Sequence, residues 1–123
     1  RLMPASFTRP ELKTPNVLNA YTAPFPTPAS RMGTYVFPWA INHSDEWLAS
    51  IESRLHLLAD KPVALVWAMK DLAFGNEETI ARWQRYFPPA SVDRIPYAGH
   101  YVPEERPDRV VAGIQGVLER QAG

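Results

Sequence analysis

From Ser44 onward the apolar positions switch regularly between two periods. Trp47, Ile51, Leu55 and Leu58 recur at spacings of four, four and three, one stripe of a helix, with Ser44 at its N-cap and Asp45 and Glu46 in its first turn. Pro62 closes that segment, and the run Val63-Ala64-Leu65-Val66-Trp67-Ala68-Met69 predicts a buried strand. Asn76 then caps a second helix with Ile80, Trp83 and Phe87 on one face, stopped by Pro88-Pro89. "SVDRIP" predicts a short strand with Val92 and Ile95 as its apolar members. A last helix presents Val110, Val111, Ile114, Val117 and Leu118, and its Gly113 and Gly116 either weaken it or let it pack closely. Strands alternating with helices imply a parallel sheet covered on both faces. Two strands are too few for such a sheet to stand alone, so the remaining strands are expected on residues outside this chain.

The first part reads differently. Seven of the 13 prolines fall within the first 38 residues, which permits only short helices joined by stiff turns. "PNVLNAYTA" and "PASRMGTYV" are the two candidates, and neither can bury much core; the stretch reads as a covering segment.

Composition narrows the function classes. The 123 residues suffice for one domain or part of a larger one, and 46% apolar with 21% charged residues is ordinary for a globular protein. Thirteen basic residues balance 13 acidic ones, with no basic stripe to bind nucleic acid. The absence of cysteine excludes disulfides, zinc–thiolate sites and a thiol nucleophile. The longest apolar run is too short to span a bilayer, and no signal peptide is visible, so no membrane partner and a cytoplasmic location are expected. Three scattered histidines make no metal-ligand pattern, no Gly-rich phosphate loop occurs, and no cofactor is expected. The chain starts at Arg1 rather than methionine, and a partial chain is expected.

Candidate chemistry sits at the strand ends. Asp71 follows the first strand and His100 follows the second, 29 residues later, the edge where parallel sheets bind ligands. A carboxylate there can accept from one imidazole nitrogen, fix the tautomer and leave the other nitrogen as a base. Gly99 lets the backbone before His100 turn sharply and approach a neighbour. Taken singly, Asp71 reads as a cap and His100 as a loop residue; together they read as an acid and a base. His43 and His56 are read as structural, and Trp47, Trp67 and Trp83 as core packing. "PEERPD" is read as a solvated turn, with Glu105 or Asp108 near the start of the last helix.

"KPVALVWAMKDLAFG" followed by "VDRIPYAGHYVPEERPDRVVAGIQGVL" resembles the C-terminal part of an α/β-hydrolase, in which the order is nucleophile, acid, histidine. "NVLNAYTAPFPTPASRMGTYVFPWAI" is similar to the cap-to-core crossover of haloalkane dehalogenases. The resemblance covers roughly residues 16 to 119. It implies an α/β fold comprising the last two parallel strands with flanking helices, preceded by the end of the helical cap. Residues 1–43 would be cap end and crossover, and 44–123 the C-terminal part of the core. It also implies a catalytic triad in which Asp71 is the acid and His100 the base, with Phe25, Pro26, Phe74 and Tyr101 lining a pocket for a small apolar substrate. The implied reaction is cleavage of a carbon–halogen bond through an alkyl-enzyme ester that His-activated water hydrolyses. No GxSxG run or aspartate nucleophile turn occurs in the chain, so it is expected to be inert alone and to need the N-terminal half of the same enzyme. Alternatives on the same framework are epoxide hydrolysis, β-lactone decarboxylation and ester hydrolysis, with Arg31 as the sole crossover cation for an anionic substrate. A non-catalytic interaction fragment is the alternative of another class.

Overall fold

A computed structural model describes residues 6–122. Helices α1 (Pro15–Thr22), α2 (Met32–Ile41) and α3 (Asp45–Glu52) come first, followed by strand β1 (Ala64–Ala68), α4 (Glu77–Tyr86), strand β2 (Ser91–Ile95), the single turn α5 (Val102–Glu105) and α6 (Pro107–Ala122). Contacts group these into two units, residues 14–58 and the combination of 6–13 with 59–122. Helix α3, expected with the core portion, groups with α1 and α2, and the segment 6–13 groups with the strands.

In the sheet unit, β1 and β2 pair in parallel, with Ala64 opposite Ser91 and Ala68 opposite Ile95. The chain connects them through α4, whose start is fixed by Asn76: its Oδ1 accepts from the Thr79 amide at 2.8 Å. Ile80 and Ile95 are fully buried, each worth roughly 1.5–3 kcal/mol of apolar transfer. Ala68, Ile95 and Ala98 form the core cluster, with Val66 and Val102 against it. At Gly113 α6 lies close against β1, since a Cβ there would lie 2.8 Å from Val66 Cγ2. Of the two roles open to that glycine, close packing is the one observed. Of the expected stripe, Val111, Ile114 and Leu118 are exposed, whereas Val110 and Val117 are half-buried. Arg120 ties the end of α6 to the start of both strands, reaching the Val63 carbonyl and Ser91 Oγ at 3.3 Å each.

In the helical unit, Pro15 occupies the first turn of α1 and Thr14 Oγ1 accepts from the Val17 amide at 3.3 Å. Helix α2 runs through Pro38, which forgoes one backbone bond inside the helix, and ends three residues later at Ile41. No residue of α1, α2 or α3 is buried. Core packing therefore does not describe Trp47, which is 63% exposed. The expected stripe from Trp47 to Leu58 is also broken, because α3 stops at Glu52 and Leu55–Leu58 form a 3-10 turn. Ser44 precedes α3 as expected but does not cap it with its side chain; its hydroxyl donates to the Ala40 carbonyl at 2.7 Å, closing α2 instead. The reading of "PEERPD" as solvated also fails at one residue, since Glu105 is fully buried.

Candidate active site

Backbone pairing continues past the strands and delivers the site. The Met69 amide donates to the Ile95 carbonyl and the Lys70 amide to the Ala98 carbonyl, both at 3.0 Å. These bonds hold the two loops side by side, one residue short of Asp71 in the first and two short of His100 in the second. His100 Nδ1 lies 2.9 Å from Asp71 Oδ2. The Asp71 side chain is 12% exposed and that of His100 49%, so the carboxylate sits under the imidazole and the imidazole faces outward.

The other carboxylate oxygen is fixed by its own loop. Asp71 Oδ1 accepts from the Ala73 amide at 2.9 Å and the Phe74 amide at 3.4 Å. Burial raises the Asp71 carboxyl pKa, but the bonds from the Ala73 amide and His100, the nearby imidazole charge and the Phe74 amide together outweigh it. The net position is below the ordinary carboxylate value, so the group is ionised at neutral pH. An ionised acceptor on Nδ1 selects the tautomer with its proton there and leaves Nε2 able to take one. The loop can be this tight because Gly75 has no side chain: a Cβ would stand 2.5 Å from the Asp71 carbonyl oxygen. Trp67 helps close it, donating its indole N–H to the Phe74 carbonyl at 2.8 Å.

Two of the four expected pocket residues stand at this pair. The Phe74 ring lies roughly parallel to His100 at 6.5 Å, and Tyr101 meets His100 edge-on at 5.5 Å. Tyr101 is itself stacked on Phe7 at 4.8 Å. Phe25 and Pro26 belong to the helical unit, in the turn after α1, where the Phe25 amide donates to the Thr22 carbonyl and Arg31 Nε donates to the Phe25 carbonyl, both at 2.9 Å. That guanidinium is thus held by a main-chain oxygen. Their place as pocket residues is carried by the resemblance.

The sequence pattern did not reveal the segment 6–9. The His100 amide donates to the Ser6 carbonyl at 3.1 Å, and Phe7 is buried against Tyr101. Partners more than 90 residues apart leave no local spacing to find. Gly99 is explained by the same approach: a Cβ there would run into the Ser6 carbonyl oxygen and lie 2.9 Å from Glu105 Oε1. Among the described residues no glycine has a positive φ, so the requirement at Gly99 is space rather than a special turn. Gly99→Ala should therefore cost about 1–3 kcal/mol, as overpacking does. The check is the urea midpoint of the chain joined to its upstream portion; an unchanged midpoint would mean that the 6–9 segment does not lie against this loop.

Among the described residues no group of three potential ligands could hold a metal ion, and no helix is long and apolar enough to cross a membrane.

No family model matches the chain. Curated relatives do. The chain is 34% identical over 99 residues to haloalkane dehalogenase 2 of Mycobacterium tuberculosis and, equally, of Mycobacterium bovis, a match covering 80% of this chain and 35% of those enzymes. It is 30% identical over 109 residues to a cis-3-alkyl-4-alkyloxetan-2-one decarboxylase of Xanthomonas campestris, covering 85% of this chain and 36% of that enzyme. The chain thus spans about a third of the length of the curated relatives it matches. Its homologues are haloalkane dehalogenases and a related enzyme of the hydrolase superfamily, which bears out the resemblance read from the sequence.

Proposed function

We propose that this chain is the C-terminal part of an α/β-hydrolase that cleaves carbon–halogen bonds of small apolar substrates, with His100 as general base and Asp71 as the acid that holds it. The observation that carries the reading is the 2.9 Å contact between His100 Nδ1 and Asp71 at adjoining strand ends, in a chain whose homologues are haloalkane dehalogenases.

In the first half-reaction a carboxylate from the part of the protein outside this chain attacks the carbon bearing halogen. A C–O bond forms, the C–X bond breaks, and halide leaves with the electron pair. In the second, His100 Nε2 takes a proton from water as the oxygen attacks the ester carbonyl carbon. The tetrahedral intermediate collapses as the ester C–O bond breaks, alcohol leaves with the proton returned by the imidazolium, and the carboxylic acid so formed loses its remaining proton to solvent, regenerating the carboxylate. Asp71 remains ionised and stabilises the imidazolium between these steps. Phe74 and Tyr101 beside the imidazole would exclude bulk water and favour an apolar substrate. Without the nucleophile this chain would not turn over by itself.

The second reading follows from the decarboxylase relative: opening of a β-lactone on the same carboxylate–imidazole pair, with loss of carbon dioxide. The experiment is a comparison of products. The chain joined to its upstream portion is given a 1-chloroalkane, an epoxide, a short-chain ester and a 3,4-dialkyl β-lactone. Equal yields of chloride and alcohol are expected from the first. Carbon dioxide from the lactone with no chloride release would replace the dehalogenase reading by the decarboxylase one. Inactivity toward all four would leave the pair as an inherited structural contact.

A further inference from the structure

We infer that Glu105 is a positioning residue for His100, acting through the backbone of the loop that carries it. Its side chain is the sole fully buried charged group among the described residues. It has no direct contact with Asp71 or with the imidazole, and the proposed chemistry does not use it. Its oxygens are spent on two pieces of main chain. Oε1 accepts from the Gly99 amide at 3.1 Å and from the Thr8 amide at 3.1 Å. Oε2 accepts from the Thr8 hydroxyl. The Arg9 guanidinium closes the arrangement, donating from Nη1 to the Glu105 carbonyl at 2.9 Å.

The result is a clamp around one residue. The amide just before His100 is held by the Glu105 carboxylate, and the His100 amide is held by the Ser6 carbonyl. Ser6 lies two residues before Thr8, which Glu105 grips twice. A carboxylate is suited to this because it accepts several donors at once, and amide–carboxylate bonds are about twice as strong as neutral ones. A buried carboxylate without such donors would be costly, so burial here implies that all of them are engaged. The backbone of the histidine loop is therefore fixed on both sides, which fixes where Nε2 can reach.

The inference deepens the proposed hydrolase reading, and the experiment separates the two. Glu105→Ala removes the acceptor, whereas Glu105→Gln keeps it: the amide oxygen can serve both backbone N–H groups. The Thr8 hydroxyl, already 2.6 Å from the Tyr97 carbonyl, can donate there and accept from the new amide nitrogen. Hydrogen exchange on the chain joined to its upstream portion is the first readout. Gly99 should exchange only with global unfolding in the wild type and in Glu105→Gln, and at least about tenfold faster than unfolding allows in Glu105→Ala. Rapid exchange of Gly99 in the wild type overturns the inference even if the Ala variant cannot be made.

The second readout is rapid-quench kinetics of the chain joined to its upstream portion. Misplacing a base by about 1 Å costs on the order of 10²-fold, so Glu105→Ala should slow ester hydrolysis by about that factor. Halide release in the first turnover should be unchanged, and Glu105→Gln should restore hydrolysis. Equal slowing of both half-reactions, or no slowing of either, overturns the positioning role. A wild type that releases no halide instead removes the dehalogenase reading, leaving the exchange result to judge Glu105.

Discussion

His100→Gln in the assembled enzyme should release one halide per active site and then stop. The displacement step moves no proton, so the first turnover needs no base. Ester hydrolysis does need one: an amide side chain occupies similar space but cannot take a proton from water at neutral pH. General-base catalysis is worth roughly 10²–10⁴ in rate, and steady-state alcohol release should fall by that factor. The halide burst should persist, and the alkyl ester should accumulate as a mass increase of one alkyl group on the intact protein. A variant that keeps turning over, or one that shows neither burst nor adduct, would take His100 out of the hydrolytic step.

Asp71→Asn should come close to the same loss for a different reason. The amide oxygen can still accept from the Ala73 amide, so the loop should keep its shape. The amide nitrogen, however, presents a donor to His100 Nδ1 and favours the tautomer with the proton on Nε2, where a base is required. Turnover should fall by about 10²–10⁴-fold, again with the first halide spared. The same substitution has a thermodynamic signature. In the folded protein the Asp71 carboxyl lies below its ordinary value of 3.8, so in that window the unfolded chain binds more protons than the native one. Stability from this group is fully present above the unfolded value and is lost as pH falls through the folded value. Asp108, held near 2 by the Arg106 guanidinium beside it, acts with the same sign in both proteins and cancels in the comparison. The gap in denaturation midpoint between wild type and Asp71→Asn should therefore narrow as pH is lowered from about 5 toward 2. A gap that is constant with pH would mean that the carboxylate gains nothing from its native partners.

The alternation of strand and helix was legible because each period is local. Asn76 caps α4 through a neighbour three residues on, and β1 and β2 fall within the runs that their apolar residues mark. The pairing of Asp71 with His100 was legible because parallel strands bring successive C-terminal ends to one edge, and the backbone bonds beyond the strands carry that register into the loops. Burial was less so. The exposed Trp47 and the open stripe of α6 obey helical spacing, but spacing says which residues share a face and not whether anything covers it. Glu105 is the opposite case. In a run of charges it looks solvated, and only the distant Thr8 and the turn at Gly99 supply the donors that let it be buried.

The measurement that bears most directly on the central pairing is the ring nitrogen spectrum of His100 in this chain, at about pH 8, where an ordinary histidine is neutral. The expected result is a protonated Nδ1 with its hydrogen shifted strongly downfield, an unprotonated Nε2, and loss of that downfield signal in Asp71→Asn. A proton found on Nε2 instead, or a spectrum indifferent to Asp71→Asn, would contradict the account.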